Sequence, residues 1–370
     1  MRYRYKRGIG FLLVFCVLFS FSASSAAAFS DTGSYVSVEN FSNADVSLTS
    51  EVRVSSRFYE LLFKKEKAED LRLIPGGEVL GIKLKEESVI VADAKDSKDL
   101  KKGDKLLSID GKEIKSSRDV YDALSKCCGK DVYIEVMRGE EKLTLRVSPK
   151  EEDGAFRLGV SLKSGACGIG TVTFIDPETK AFGALGHAVC DAESGSVLKS
   201  VGGIVTGVIL GGVSKGVVGK AGELSGVLTR KVCGFVSKNS ECGIFGVLDN
   251  YDISEREAIP ICKKGDIKKG EAEIISTVKN GYTERYKIEI CDINTSKDGS
   301  KCFKIKVTDP TLIAITGGIV KGMSGSPIIQ GGKLVGAVTH VMVANPTEGY
   351  GIFIENMLNA AQNQAIPKAA

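Results

Sequence analysis

The sequence predicts a mainly β protein with two globular domains behind an N-terminal apolar segment. Its 370 residues are enough for two hydrophobic cores, and 43% of them are hydrophobic. The 43 glycines follow no three-residue period, which favours tight turns and bulges. Short apolar runs bounded by glycine recur from Phe156 to Ile354. Their length is typical of a sandwich or barrel rather than of alternating strands and helices.

Residues 1–29 are predicted to be a signal peptide or membrane anchor helix. Basic residues at positions 2, 4, 6 and 7 precede an apolar run from Ile9 to Phe21, and the small residues of SASSAAAFS follow it. This is the arrangement of a secretory signal, so we expect the protein to be exported. Ten cysteines are compatible with export, although the sequence leaves their pairing open.

Residues 30–70 are polar and are predicted to be a linker, and residues 71–150 to be a separate small domain. In LLSIDGKEI, Asp110-Gly111 is a tight-turn signal between two strands. Ser116 or Ser117 then caps a helix. The segment LKKGDKLLSIDGKEIKSSRDVYDAL resembles the core of a PDZ domain, a fold that binds extended peptide ends as an added strand. The resemblance implies a carboxylate-binding loop at Gly81, Ile82, Lys83 and Leu84.

Residues 151–360 are predicted to be an all-β domain, and residues 361–370 a tail. Only ENMLNAAQNQ, near the C-terminus, has a helical pattern. The net charge of +4 is spread over interleaved acidic and basic residues, which does not indicate a nucleic-acid-binding surface. With two histidines and no C-x-x-C pair, the sequence predicts no metal site and no cofactor.

Ser324, in KGMSGSP, is the candidate nucleophile. The second residue after it is Ser326, so the stretch does not fit the G-x-S-x-G elbow of α/β-hydrolases. Gly322, Ser324, Gly325 and Pro327 fall where chymotrypsin-like proteases have G-D-S-G-G-P. A loop of this kind aims the N–H groups of Gly322 and Ser324 at one anion, as an oxyanion hole requires.

Histidine is the scarce component of a serine-peptidase site in this chain. His187 follows a glycine-rich approach in FGALGHAVCD, whereas His340 lies within the strand pattern of LVGAVTHVMV. We therefore predict that His187 is the base and that His340 is structural, lining the site. Cys190, three residues after His187, would suit a cysteine peptidase, but side chains so close along the chain rarely face each other.

Two segments together are similar to the SpoIVB peptidase family, whose members are sporulation serine peptidases. They are GIGTVTFIDPETKAFGALGHAVCD and VTDPTLIAITGGIVKGMSGSPIIQGGKLVGAVTHVMVANPTEGYGIFIENML. The resemblance implies a chymotrypsin-like double barrel with His187, Asp309 and Ser324 as catalytic triad. Asp309 is closer to Ser324 in sequence than the catalytic aspartate is to the serine in chymotrypsin-like enzymes. Asp176 and Asp191 therefore remain alternative candidates for the catalytic acid.

The same resemblance implies a biological role. A member of this family would cleave itself near its N-terminus and leave its membrane tether. It would then cleave a membrane-bound regulator of an intramembrane protease, and so signal from the forespore to the mother cell to activate a late sigma factor. The expected location is the forespore membrane or the intermembrane space. The alternative function is a non-enzymatic exported PDZ adaptor.

Overall fold

The structure is a computed structural model and describes residues 71–362 apart from 153, 192–194 and 280. The predicted signal or anchor (1–29), the predicted linker (30–70) and residues 363–370 of the predicted tail lie outside the described residues. Within the described ranges, none of the helices has the length and apolar character needed to cross a membrane.

The first nine elements in the chain include those of a small β domain with one helix, to which the first strand does not belong because it pairs with strands further along the chain. They are β1 (Arg72–Pro75), β2 (Val79–Asp93), β3 (Lys105–Ile109), β4 (Lys112–Glu113), α1 (Ser117–Leu124), β5 (Val132–Arg138), β6 (Glu141–Val147), β7 (Lys150–Glu152) and β8 (Ala155–Arg157). Asp110 (φ 48°) and Gly111 (φ 79°) are left-handed, so the predicted tight turn joins β3 to β4. Ser116 caps α1 by accepting a hydrogen bond from the N–H of Asp119, as predicted.

Six strands follow, of which the first five build a six-stranded barrel with β2 and the last pairs with β1. They are β9 (Ser161–Ile175), β10 (Ala181–Ala184), β11 (Ser200–Ser214), β12 (Gly222–Ser240), β13 (Gly243–Val247) and β14 (Ile259–Pro260). The ladder runs from β9 through β10, β13, β12 and β11 to β2, and β2 pairs back with β9. This closed ring, here called barrel 1, encloses Phe182, Val205 and Ile244 among its buried residues.

A second closed barrel occupies the C-terminal third of the chain. Its region contains a 3-10 turn (Lys264–Asp266), β15 (Gly270–Lys279), β16 (Tyr282–Ile293), β17 (Phe303–Val307), α2 (Pro310–Thr316), β18 (Val320–Lys321), β19 (Pro327–Gln330), β20 (Lys333–Val341), β21 (Glu348–Phe353) and α3 (Ile354–Gln362). Barrel 2 has the order β15-β16-β17-β21-β20-β19. In β17 the apolar residues are buried and both lysines are exposed, the alternation that a closed barrel requires. The two barrels confirm the predicted mainly β, double-barrel fold.

The small domain and barrel 1 share β2. Around Gly81–Lys85 this strand pairs with β9 on one side and β11 on the other, whereas Val89 and Ile90 pair with β3 of the small domain. Two short β-rich runs of the sequence, VLGIKL and SVIVADA, form one strand of 15 residues with an irregular register between Lys85 and Ile90. The predicted domain boundary at residue 150 therefore separates β2 from the other five strands of barrel 1.

Candidate active site

Two glycines shape the loop that carries Ser324. Gly322 (φ 96°) and Gly325 (φ 97°) both have backbone conformations that side chains disfavour. A Cβ on Gly325 would lie 2.0 Å from the carbonyl oxygen of Thr171. Ser326 is fully buried and its hydroxyl donates to Ser276 at 3.0 Å. The loop therefore presents Ser324, and Ser326 has a packing role inside barrel 2.

Barrel 1 holds this loop of barrel 2 through two threonines of β9. The hydroxyls of Thr171 and Thr173 donate to the carbonyl oxygens of Gly322 at 2.7 Å and Gly325 at 2.8 Å. The N–H of Thr171 donates to the carbonyl of Ser324 at 3.0 Å. Sequence reasoning missed both threonines. Their signal is the two-residue spacing in GTVTFID, which puts both side chains on one face of a strand.

His187 reaches the site from barrel 1, directly after β10. Leu185 (φ 68°) and Gly186 (φ 70°) turn the chain there. The His187 side chain is buried, with Nδ1 2.8 Å from the carbonyl oxygen of Ala188. A carbonyl only accepts, so Nδ1 carries the proton and Nε2 has the lone pair. Nε2 is buried and has no hydrogen-bond partner among the described residues.

Burial lowers the pKa of His187 below its ordinary value of 6.5. The Ala188 carbonyl opposes this effect, and the positive charge of Lys301 adds to it. A buried neutral imidazole with a free Nε2 is the form that a general base requires.

The ring of His340, on β20, lies next to that of His187, with 5.1 Å between the two ring centroids. His340 is therefore a ring neighbour of His187, but it is not among the residues that line the cavity.

His187 and Ser324 line the same cavity, each with 7% of its surface exposed. His187 comes from barrel 1 and Ser324 from barrel 2. The packing of the two barrels therefore brings them to one cavity, although they are far apart in the sequence. The Ser324 hydroxyl donates to the carbonyl of Thr339 on β20 at 2.9 Å, and no hydrogen bond joins it to His187 in the described residues. Hydrogen bonds between catalytic groups are often formed only when substrate binds.

The predicted oxyanion donors belong to the same loop. Gly322 and Ser324 both line the cavity. Among the described residues, neither of their N–H groups has a recorded partner, whereas Met323, Gly325 and Ser326 donate to Val320, Val338 and Met323. The loop thus contains two N–H groups beside the cavity that remain available to an anion.

The structure does not bring Asp309 to His187. Asp309 is the N-cap of α2, and its Oδ1 accepts from the N–H groups of Thr311 (2.9 Å) and Leu312 (3.1 Å). Its Oδ2 accepts from the N–H of Lys287 at 3.2 Å. Helix α2 was not predicted, although Asp followed by Pro is a helix-start signal. The expectation of a contact between Asp309 and His187 is not met in this structure.

The two competing aspartates are also engaged elsewhere. Asp176 accepts from the N–H groups of Glu178 (3.0 Å) and Thr179 (2.8 Å) in the turn after β9. Asp191 forms an ion pair with Lys163. The Nδ1 of His187 instead contacts the Ala188 carbonyl, a main-chain partner that a search for acidic side chains cannot find.

The implied peptide-binding loop at Gly81, Ile82, Lys83 and Leu84 needs correction. These residues lie within β2, paired with both β9 and β11. A Cβ on Gly81 would lie 2.4 Å from the side chain of Leu228, so the glycine serves close packing. Because neighbouring strands take both edges, the segment cannot accept a peptide as an added strand.

The cysteine-peptidase alternative receives no support from the thiols near His187. Cys167 and Cys190 line the cavity. Burial raises the pKa of Cys190, with a further contribution from Glu241, and burial raises that of Cys167. The thiolate is the nucleophilic form, so both residues are poorly suited to attack a carbonyl.

Two family matches cover most of the described chain. Residues 154–358 match the family described as SpoIVB peptidase S55, and residues 78–148 match the PDZ domain family. The S55 match extends over more than half of the sequence and contains Ser324, His187 and Asp309.

Individual relatives match a shorter part. A protein of Xylella fastidiosa (strain Temecula1) named "Putative zinc metalloprotease" is 40% identical over 70 residues, 18% of this chain and 16% of that protein. A protein of Lactococcus lactis named "Putative zinc metalloprotease LL2128" is 37% identical over 68 residues, again 18% of this chain and 16% of that protein. The chain thus spans about a sixth of the length of these relatives.

One solved structure is also similar. The PDZ domain of the SdrC-like protein from Listeria monocytogenes is 27% identical and covers 20% of this chain and 87% of its own, with a TM-score of 0.19.

Proposed function

Because the chain belongs to the SpoIVB peptidase S55 family, a family of serine peptidases, we propose that it is an endopeptidase in which Ser324 is the nucleophile and His187 the base. The observation that carries this assignment is the Nε2 of His187, which is buried without a partner among the described residues, on a side chain that lines the same cavity as Ser324. The two residues come from different barrels, as in chymotrypsin-like enzymes.

In the proposed reaction the Ser324 hydroxyl leaves the Thr339 carbonyl and gives its proton to Nε2 of His187. Ser324 Oγ attacks the scissile carbonyl, and the N–H groups of Gly322 and Ser324 bind the oxyanion. His187 then returns the proton to the leaving amine. The Ala188 carbonyl, 2.8 Å from Nδ1, keeps the ring in the required tautomer. The family resemblance implied that Asp309 would have this role.

A serine-reactive probe tests this assignment. We expect a fluorophosphonate to label the folded protein, and labelling to be lost in Ser324→Ala and His187→Ala. The matched control is Ser326→Ala, two residues from the nucleophile. It removes the hydrogen bond to Ser276 at a cost of about 1 kcal/mol in stability but leaves labelling intact. Persistent labelling in Ser324→Ala would contradict the assignment of the nucleophile, and a wild-type protein that is not labelled at all would favour the adaptor alternative.

The biological role proposed with this activity is that of the family. The enzyme is exported, tethered to the forespore membrane through residues 1–29, and released by self-cleavage. Its substrates are itself and a membrane-bound regulator of an intramembrane protease, and the outcome is late sigma-factor activation in the mother cell. If a Ser324→Ala strain still sporulates and still shortens the protein, this role is wrong.

A further inference from the structure

The turn between β11 and β12 carries exposed valines beside a third one from barrel 2. Val217 and Val218 are 56% and 79% exposed, and Val343, which follows β20, is 46% exposed. The N–H of Gly219 donates to the carbonyl of Val343 at 2.9 Å, so the two segments are in contact. Single exposed apolar side chains are common on protein surfaces, whereas a cluster of them marks an interaction site. We call Val217, Val218 and Val343 the valine tip.

The backbone of the valine tip is fixed by hydrogen bonds. Val217 and Lys220 exchange two main-chain hydrogen bonds, of 3.0 and 2.8 Å, across a two-residue turn. Gly219 in this turn has φ 86°, a conformation that favours glycine. The N–H of Gly216 donates to the carbonyl of Thr316, the last residue of α2, at 2.8 Å. The fold therefore holds the valines in their exposed positions.

The two segments that form the valine tip carry only positive charge. Residues 211–222 contain Lys215 and Lys220, which are both exposed, and no acidic residue. Residues 341–347 contain no charged residue. Lysines close to a bilayer surface are attracted by the negative charge of anionic lipids. The charge of these segments is thus complementary to such a surface.

The composition favours a lipid surface over a protein partner. Residues 211–222 and 341–347 contain neither arginine nor any aromatic residue, the residue types that dominate binding at protein interfaces. Valine is rare among the residues that dominate such binding, and lysine is depleted from protein interfaces. Aliphatic side chains beside lysines instead suit the edge of a bilayer, where apolar groups enter the acyl boundary and ammonium groups stay with the headgroups.

We propose that the valine tip inserts into the headgroup region of an anionic lipid bilayer, with Lys215 and Lys220 beside the lipid phosphates. A contact of this size is weak and reversible by itself, so it orients a chain that a second attachment keeps at the membrane. The inference concerns residues other than the predicted anchor at 1–29, and it does not depend on the peptidase assignment.

The valine tip is close to the loop that carries Ser324. The start of β12 pairs in parallel with β18, with Gly222 opposite Val320, and the nucleophile loop follows β18 directly. Val218 is four residues before Gly222, so it lies within about 20 Å of Val320. Insertion of the valine tip therefore keeps the candidate active site near the lipid surface, where it meets chain segments that emerge from the bilayer.

Tryptophan fluorescence tests the contact. The chain contains no tryptophan, so Ala344→Trp, at an exposed position next to Val343, introduces a single indole. The full chain also carries Ser324→Ala, so that the proposed self-cleavage does not alter it. We expect vesicles of phosphatidylglycerol to shift the emission to the blue and brominated acyl chains to quench it, with about fivefold less quenching in phosphatidylcholine.

Val227→Trp is the matched control for the rest of the hairpin. Val227 is 59% exposed on β12 and lies five residues beyond Gly222, about 16 Å along the strand. We expect neither type of vesicle to change the emission of this indole. An equal response of the two reporters would mean that the hairpin does not insert by its tip, and would overturn the inference.

Variants of the valine tip separate the apolar contribution from the charge. In the Ala344→Trp chain, Val217→Ser with Val218→Ser should reduce the quenching about fivefold or more, because the inserted side chains are gone. Lys215→Gln with Lys220→Gln should have an effect of about the same size at low ionic strength, where surface charges act furthest. All four side chains are exposed, so the melting temperature should not change.

The depth of the indole, and not the bound fraction, is the readout, because the predicted anchor would attach every variant to the vesicles. Absence of quenching in phosphatidylglycerol, or undiminished quenching in the variants of the tip, would overturn the inference. A blue shift that grows with protein concentration in the absence of vesicles would assign the valine tip to a second copy of the chain, and would also overturn it. These chains carry Ser324→Ala, so either outcome leaves the fluorophosphonate test of the peptidase assignment unaffected.

Discussion

At the scale of single residues, the ionisation of His187 controls the proposed chemistry. Its ring is buried, its Nδ1 contacts a main-chain carbonyl and its Nε2 has no partner among the described residues. Burial, with a smaller contribution from Lys301, lowers its pKa. The neutral base therefore persists at a pH where an exposed histidine is already protonated.

The first prediction concerns pH. We expect the acid limb of kcat/KM to have its midpoint below 6.5, because activity is lost only when the pH falls through the lowered pKa of His187. Lys301→Met removes a positive charge that opposes the imidazolium, so it should move this limb to higher pH. Lys304→Met, an exposed lysine on β17, is the matched control and should leave the limb unchanged. An unshifted limb in Lys301→Met would contradict the electrostatic argument.

The same pKa affects stability, with a definite sign. The folded protein binds a proton at His187 less readily than the unfolded chain does. Its contribution to the free energy of unfolding is therefore complete above about 6.5 and is lost as the pH falls through the folded pKa. Chemical denaturation at several pH values, compared between wild type and His187→Gln, would isolate this contribution.

Asp309 provides the third residue-scale prediction. As the cap of α2, Asp309→Ala should cost about 1–2 kcal/mol in stability. Asp309→Asn keeps an acceptor for Thr311 and Leu312 and should retain kcat/KM within about threefold. A triad aspartate behaves differently, since its change to Asn lowers kcat by about 10⁴ in a chymotrypsin-like enzyme. Such a loss, with the melting temperature of Asp309→Asn unchanged, would restore Asp309 as the catalytic acid.

At the scale of elements, the local signals were read correctly. The turn at Asp110-Gly111, the cap at Ser116 and the C-terminal helix α3 were all predicted from short stretches. Each depends on residues within a few positions of one another, where side-chain and backbone preferences act directly. Helix α2 has the same kind of signal in Asp309-Pro310, but ENMLNAAQNQ was the one helix predicted after residue 150.

The errors come from contacts distant in sequence. Nothing within residues 79–85 shows that they pair with β9 and β11 in barrel 1 and are not a loop of the small domain. The partner of His187 Nδ1 is a main-chain carbonyl. Every residue has one, so the sequence does not indicate which of them His187 contacts. The pairing of Ser324 with His187 was predicted because the family resemblance linked two segments that local patterns could not connect.

At the scale of the whole molecule, the two sequence domains are joined through a shared sheet. Barrel 1 takes β2 from the N-terminal side of residue 150, and the small domain takes the start of β9 from the C-terminal side. Each domain therefore completes its core with a strand from the other's segment. Strand β9 thus runs from the core of the small domain to Thr171, which holds the nucleophile loop.

This exchange predicts that the peptidase region cannot fold by itself. A fragment of residues 151–370 lacks β2, so β9 and β11 each lose a neighbour and the barrel opens. It also lacks Ile82 and Leu84, which are 5% and 2% exposed and contribute about 1.5–3 kcal/mol each. We expect this fragment to aggregate, or to melt without a cooperative transition in circular dichroism, and not to react with a fluorophosphonate. The control fragment, residues 71–370, should melt cooperatively and react at Ser324. Cooperative unfolding and labelling of 151–370 would mean that β2 is dispensable to barrel 1, and would return the boundary between the domains to residue 150.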